Sequence, residues 1–84
     1  MITADAFELV ETELRKAMAD HGSMKSPHEG WAVILEEVEE LWDEIKLRKP
    51  DEHRMQKEAV QVAAMGIRFL IDLFDKPLRV NDGD

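Results

Sequence analysis

The sequence predicts an all-α fold, and three observations support this prediction. Apolar residues recur at spacings of three and four positions in three separate stretches, which is the periodicity of one face of an α-helix. The three prolines, Pro27, Pro50 and Pro77, stand at or near the ends of those stretches. No stretch alternates apolar and polar residues as a β-strand does. We therefore expect a single three-helix domain over residues 1–76 and a polar C-terminal tail over residues 77–84.

The first predicted helix begins at Thr3, the expected N-cap, and ends near Asp20. Its apolar residues recur at helical spacing and are Phe7, Val10, Leu14, Ala17 and Met18. Gly22 is expected to end this helix, because glycine readily adopts the left-handed conformation found at helix C-termini.

The second predicted helix has an unusually clear start at Ser26. Ser26 and Glu29 have the spacing of a capping box, in which the serine oxygen accepts from the backbone N–H of Glu29 and the glutamate reaches back to the N–H of Ser26. Pro27 occupies the first helical position, where its missing N–H costs nothing. The helix should run to about Arg48, because Pro50 disfavours helical dihedral angles in the residue before it.

At about 100° per residue, the side chains of the second helix separate into two faces. An apolar stripe covers roughly 120° and should face the core; its residues are Trp31, Ile34, Leu35, Val38, Leu41, Trp42 and Ile45. An acidic stripe about 60° wide lies beside it and contains Glu37, Glu40 and Glu44, with Glu36, Glu39 and Asp43 further round. Like charges at these spacings cost a few tenths of a kcal/mol per pair. Solvent or a cation must therefore neutralise or screen the acidic stripe.

The third predicted helix runs from about Glu52 to Phe74, with Asp51 or a neighbour as its cap, and should be the most buried. Its polar residues share a face of roughly 80°, which contains Arg54, Glu58, Gln61, Met65, Arg68 and Asp72. Links of about five and about three residues make successive helices antiparallel neighbours. The Glu58/Gln61 face can then oppose the acidic stripe of the second helix.

Composition and length narrow the class of function. A net charge of −8 and a pI near 4.8 argue against a nucleic-acid polymer or an anionic membrane as partner. The longest apolar run, residues 62–67, is too short to span a bilayer, and no leader sequence opens the chain, so the expected compartment is the cytoplasm. A chain of 84 residues without cysteine has a marginal core and no disulfides. We therefore expect the chain to associate into a dimer or tetramer, which would add to the stability that the small core provides.

Carboxylates from two facing helices would form an oxygen-rich pocket, which suits Mg²⁺, Mn²⁺ or Ca²⁺. An acidic run is more often a solvated helix face, and that alternative stays open on composition alone. Glu58 on the third helix is what favours the metal site, because it can face Glu37 and Glu40. Glu39 and Asp43 are expected at the surface.

These residues resemble a known pattern. The second helix contains Glu37-Val-Glu-Glu40, and the third contains Glu58-Ala-Val-Gln61, which begins 18 residues after Glu40. This pair is similar to the Glu-x-x-Glu and Glu-x-x-Asp motifs of the MazG-like all-α nucleoside triphosphate pyrophosphohydrolases. The resemblance spans roughly residues 7–73. It implies an antiparallel, hairpin-type helical protomer that forms an oligomeric bundle. It also implies hydrolysis of an NTP or dNTP to the monophosphate and pyrophosphate.

The resemblance implies that Glu37, Glu40 and Glu58 hold Mg²⁺, with Mn²⁺ as the alternative, and that one of them orients the attacking water. Gln61 occupies the fourth metal-ligand position, where the family has aspartate. Its neutral amide can offer an oxygen but cannot act as a base. Glu36 or Glu44 are candidates to compensate.

Three further residues are candidate substrate contacts. His28 lies beside the helix start, where a side chain can reach a base, although surface histidines are more common. Trp31 is expected in the core but can stack on a base. Arg68 can bind a phosphate or pair with Asp72 four residues later.

Two hypotheses from different classes follow. The first is a Mg²⁺-dependent nucleotide pyrophosphohydrolase, implied by the resemblance. The second is a catalytically inactive MazG-like helical oligomer that binds a nucleotide or a protein, for which Gln61 is the chief argument.

Overall fold

The computed structural model describes residues 1–79, which form three α-helices and no β-strand. They are α1 (Thr3–Asp20), α2 (Pro27–Ile45) and α3 (Glu52–Leu73). The predicted all-α class is confirmed. Residues 77–79 of the predicted tail follow α3 outside any helix, and residues 80–84 lie outside the described part. Among the described helices, none combines the length and apolarity needed to cross a bilayer.

Two of the predicted helix caps form as expected. Ser26 Oγ accepts from the backbone N–H of Glu29 at 3.1 Å, and Asp51 Oδ1 accepts from the N–H of Arg54 at 3.1 Å. The second half of the capping box differs, because the Glu29 carboxylate accepts from the N–H of Lys25 at 3.0 Å rather than from that of Ser26. Glu29 thus still satisfies a backbone donor at this helix start, one residue further back than predicted.

Two predicted features of α1 are wrong. Its N-cap is Ile2, whose carbonyl accepts from Asp5 and Ala6 at 3.1 and 3.2 Å, so Thr3 is already helical. The helix ends with His21 in an extended conformation, and Gly22 does not adopt the left-handed conformation. A turn to extended backbone therefore ends α1 without a glycine cap.

The second helix is shorter than predicted. It ends at Ile45, three residues before Arg48. Lys46 still donates to the carbonyl of Trp42 at 3.0 Å, whereas Leu47 bonds back only three residues, to Glu44, at 3.4 Å. This tighter turn breaks the α-helical pattern well before Pro50 restricts the chain. The third helix ends one residue before the predicted Phe74.

The central helix of the protomer is α3. Both α1 and α2 pack on it, whereas α1 and α2 do not pack on each other. The expectation that successive helices are neighbours therefore holds for α2 and α3 and is wrong for α1 and α2. Residues 21–26 link the first two helices across α3, and a cleft remains open between α1 and α2.

Polar residues of α3 hold this link in place. Arg68 donates from Nη2 to the carbonyl of Gly22 at 2.7 Å, and Asp72 Oδ2 accepts from the backbone N–H of Met24 at 2.9 Å. Arg68 Nη2 and Asp72 Oδ2 lie 3.8 Å apart, and the two side chains are only 6% and 8% exposed. Because each buried charge has a charged neighbour and a backbone partner, burial of this pair is tolerated and fixes the link on α3.

A small apolar core lies where the link and the three helices meet. Its buried residues are Ala17, Met24, Ala64 and Met65, and the half-buried side chains around them are Val10, Leu14, Val33, Ile34, Phe69 and Leu73. Gly30 of α2 is buried against Phe69, so a Cβ at this position would lie 2.6 Å from the ring. The absence of a side chain at Gly30 therefore permits the close approach of α2 and α3.

Much of the predicted core is exposed in the protomer. Trp31 and Trp42 are 59% and 57% exposed, and three apolar residues at the end of α3, Leu70, Ile71 and Phe74, are at least half exposed. The prediction of two core tryptophans is wrong for the single chain, because α3 covers only one side of the apolar stripe of α2. The radius of gyration of 14.3 Å exceeds the value of about 12 Å expected for a compact domain of this length.

We predict that Gly30→Ala destabilises the protein. Overpacking costs about 1–3 kcal/mol, more than the gain of up to about 1 kcal/mol when alanine replaces glycine in a helix. Gly66→Ala is the matched control, because Gly66 is also helical and a Cβ there meets no atom within 4 Å. Thermal denaturation should show a lower midpoint for Gly30→Ala only. An unchanged or higher midpoint would contradict the close contact with Phe69.

Candidate metal centre

Three carboxylates meet between the C-terminal half of α2 and the N-terminal half of α3. Glu37 and Glu40 lie one turn apart on α2, and Glu58 projects from α3. One carboxylate oxygen from each residue lies within 4.8 Å of those of the other two. The predicted opposition of Glu58 to Glu37 and Glu40 is confirmed. It follows from the antiparallel packing of α2 on α3, which places the two acidic faces at the same level.

Burial and repulsion strain this cluster electrostatically. Burial, followed by the charges of Glu40 and Glu58, raises the pKa of Glu37 to about 7. Burial and the neighbouring Glu40 also raise the pKa of Glu58. Each shift has the sign expected when a carboxylate loses hydration and faces other carboxylates. The cluster therefore disfavours full ionisation in the absence of a cation.

Carboxylate oxygens of the cluster and of Glu44, one turn after Glu40 on α2, are buried without a hydrogen-bond partner. Within residues 1–79, these include Glu37 Oε2, Glu58 Oε2 and Glu44 Oε1. The nearest cation to Glu44 is Arg54, whose Nε lies 3.7 Å from that oxygen, too far for a good hydrogen bond. A buried carboxylate oxygen without a donor is costly, and either a proton or a metal ion would relieve the cost. The donor set is all oxygen, which fits a hard divalent cation such as Mg²⁺.

Gln61, the fourth predicted ligand, lies one turn after Glu58 on α3. Its Nε2 donates to Glu13 Oε1 of α1 at 3.0 Å. Because a carboxylate oxygen can only accept, the amide nitrogen faces Glu13 and the amide oxygen is the atom left to bind a cation. Gln61 and Glu37, one member of the carboxylate cluster, line the same cleft.

The cleft between α1 and α2 adjoins the cluster. Its volume is about 580 Å³, and α3 forms its floor with Gln61, Met65 and Arg68. Glu36 and Glu37 line the α2 wall, and Lys16 lies on the α1 wall. Ligand pockets commonly occupy roughly 300–1,000 Å³. The cleft is therefore large enough for a nucleotide, and one member of the carboxylate cluster, Glu37, lines it.

The three candidate substrate contacts lie in different places. Arg68 lines the cleft but is already bonded to Gly22 and adjacent to Asp72. His28 and Trp31 are exposed at the start of α2 and are not among the described residues that line the cleft. Their contact with substrate remains a prediction.

Sequence reasoning did not identify Glu13. It lies 48 residues from Gln61, and nothing in the local pattern of α1 distinguishes it from the exposed acids Glu8 and Glu11. Lys16, on the wall of the cleft, was missed for the same reason. Both residues gain their position only because α1 packs on α3.

No protein-family model, curated protein or solved structure matches this chain. The resemblance to the MazG-like family therefore remains a prediction, and so do the metal, the substrate and the reaction. The observations that bear on function are those of the site itself: three close carboxylates, their buried oxygens and the adjoining cleft.

We predict that stability falls with rising pH in the presence of a chelator. The folded protein retains the Glu37 proton up to a pH of about 7, whereas the unfolded chain loses it near 4.5. The folded state therefore binds more protons in this interval, so the free energy of unfolding decreases as pH rises through it and levels off above it.

Thermal denaturation at about pH 5 and about pH 8 measures this decline, which covers the interval over which Glu37 titrates. Glu37→Gln should reduce the decline, because the glutamine does not titrate. Glu39→Gln, which removes an exposed acid from the same helix, should retain it. Equal declines in the two variants would show that Glu37 is not the responsible group.

Proposed function

We propose that this protein is a Mg²⁺-dependent nucleotide pyrophosphohydrolase that cleaves an NTP or dNTP to the monophosphate and pyrophosphate. The observation that best supports the metal is the set of three carboxylates whose oxygens lie within 4.8 Å of one another. The reaction class is inferred from the resemblance of Glu37, Glu40, Glu58 and Gln61 to the MazG-like motifs.

Glu37, Glu40 and Glu58 would hold the cation. Bound Mg²⁺ would neutralise phosphate oxygens and make coordinated water more acidic. Without a cation, the carboxylates would repel a triphosphate, and the net charge of −8 would add to that repulsion. The proposed activity is therefore strictly dependent on a divalent cation.

The cleft between α1 and α2 would bind the rest of the nucleotide. Lys16 on the α1 wall is exposed and offers a positive charge to a phosphate. Arg68 contributes mainly by holding the link between α1 and α2, residues 21–26, against α3. This contact maintains the shape of the cleft. Hydrolysis of the bond between the α- and β-phosphates would then require the phosphates to lie near Glu37, Glu40 and Glu58, which would hold the cation.

A second candidate is a catalytically inactive module that binds a nucleotide or a protein. The observation that favours it is Gln61 itself, a neutral amide where the resembled motif has aspartate. Its Nε2 is already bonded to Glu13 of α1. This site has one negative charge fewer than a site with aspartate there, and the amide cannot accept a proton from water. Metal and nucleotide binding without turnover would distinguish this candidate.

We also propose that two or more copies associate through an apolar surface, here called the back face. It consists of Trp31, Val38, Trp42 and Ile45 of α2 and Leu70, Ile71 and Phe74 of α3, each 42–59% exposed. The α2 residues lie within about 60° of arc, away from the residues that line the cleft.

The size of the back face supports association with a second copy. Its three aromatic side chains, Trp31, Trp42 and Phe74, are each more than half exposed. They alone expose roughly 350 Å², since an aromatic side chain presents about 150–250 Å² when fully accessible. The exposed aliphatic residues Val38, Ile45, Leu70 and Ile71 add to this area. The largest apolar patch of a typical monomer is about 300–600 Å² and is often an interaction site. A helical bundle formed through this face would leave the clefts accessible.

We predict Mg²⁺-dependent release of pyrophosphate from at least one member of a panel of NTPs and dNTPs. A chelator should abolish it. Glu40→Gln should reduce release to background, because it removes a charged ligand, whereas Glu39→Gln should retain the activity. Absence of turnover by the wild-type protein across the panel, with nucleotide binding detected by calorimetry, would favour the inactive module.

We predict that light scattering gives a mass of at least twice the 9.7 kDa protomer at micromolar concentration. Trp42→Glu should weaken association by at least about 30-fold, the effect of losing roughly 2 kcal/mol at a tryptophan hot spot. Phe7→Glu on α1 is the control, because Phe7 is 71% exposed outside the back face.

Fluorescence offers an independent measurement, since both tryptophans of the chain lie in the back face. Their emission should shift to longer wavelength on dilution, as dissociation exposes the indole rings to water. A folded wild-type monomer at micromolar concentration, with emission independent of dilution, would contradict association.

A further inference from the structure

We propose that Glu13 of α1 positions Gln61 as a ligand of the cation, so that a neutral amide serves at the fourth position of the site. This inference rests on the proposed metal-dependent function and assigns a role to a residue outside the acidic motifs. The observation that supports it is the hydrogen bond from Gln61 Nε2 to Glu13 Oε1 at 3.0 Å.

The location of Gln61 is suitable for a ligand. It follows Glu58 by three residues on α3, so the two side chains project from the same side of the helix. Gln61 also lines the floor of the cleft whose α2 wall contains Glu37, another member of the carboxylate cluster. The amide therefore shares the cleft with one member of the cluster and is bonded to Glu13 from the α1 side.

The orientation of the amide determines whether it can bind a cation. A free glutamine can present either its oxygen or its NH₂ group, and only the oxygen ligates a hard cation. Glu13 accepts from the nitrogen and so excludes the orientation in which NH₂ faces the carboxylates. The hydrogen bond thus selects the orientation that leaves the oxygen available.

The charge of Glu13 has a second effect. A carboxylate that accepts from an amide N–H polarises the amide and increases the negative charge on its oxygen. An aspartate at position 61 would supply a negative charge to the site. Glu13 replaces part of that charge by making the Gln61 oxygen more negative. Hydrogen-bond partners of metal ligands typically change metal affinity by about 10–100-fold when removed.

Titration of the full chain with Mn²⁺ tests the inference without measuring turnover. Binding is monitored by calorimetry and by the loss of the electron paramagnetic resonance signal of free Mn²⁺. Glu13→Leu should weaken Mn²⁺ binding by about 10–100-fold. Glu13→Gln retains an oxygen that accepts from Gln61 and should recover most of the affinity. Glu8→Leu, an exposed acid of α1 that lines a different groove, should bind as the wild type does.

A double-mutant cycle separates positioning from a general structural effect. Gln61→Ala should weaken Mn²⁺ binding, and adding Glu13→Leu to it should cause little further loss, because the two residues act through one hydrogen bond. Circular dichroism at the titration temperature identifies any variant that is unfolded. For such a variant, a thermal scan is started at a lower temperature, at which the variant is folded. The increase in its midpoint caused by saturating Mn²⁺ then replaces the titration.

The outcomes distinguish this inference from the proposed function. Wild-type affinity in Glu13→Leu, full additivity in the cycle, or a Glu13→Gln variant as weak as Glu13→Leu would each overturn the positioning role alone. Absence of Mn²⁺ and Mg²⁺ binding by the wild-type protein would overturn both. The coupled loss, with recovery by Glu13→Gln, is the expected result.

Discussion

Repulsion among Glu37, Glu40 and Glu58 is the constraint on which the rest of the site depends. Packing of α2 on α3 brings their oxygens within 4.8 Å and buries part of them, so a bound proton or cation relieves the repulsion. The same two helices contact closely at Gly30, about two turns earlier on α2. Tight apolar packing at one end of this helix pair thus holds the acidic cluster together further along it.

The polar stripe of α3 explains why the protomer has an enclosed polar side and an exposed apolar side. Glu58 and Gln61 face the carboxylate cluster and the cleft, and Arg68 and Asp72 anchor the link between α1 and α2. Because this stripe faces α1 and α2, the apolar residues on the other side of α3 face solvent in the single chain. The carboxylate cluster and the exposed apolar residues lie on different sides of the protomer because of the orientation of this one helix.

Local sequence signals predicted the helix starts better than the helix ends. Ser26 and Asp51 bond to backbone N–H groups three residues away, so the information for these caps lies within one turn. The end of α2 at Ile45 results from a tight turn that no nearby glycine or proline marks. For the site, the one-turn spacing of Glu37 and Glu40 and the antiparallel order of α2 and α3 were sufficient to place Glu58 opposite them.

The sequence by itself determined the helical class, the two side-chain caps and the pairing of the acidic motifs, because each depends on residues within a few turns or on one short link. Only the tertiary structure decided that α1 packs on α3 rather than on α2, which opens the cleft and brings Glu13 to Gln61 across 48 positions. It also decided that Trp31 and Trp42 lie at the surface of the protomer. Periodicity identifies which side of a helix is apolar, but whether that side is covered depends on the direction from which the neighbouring helix approaches.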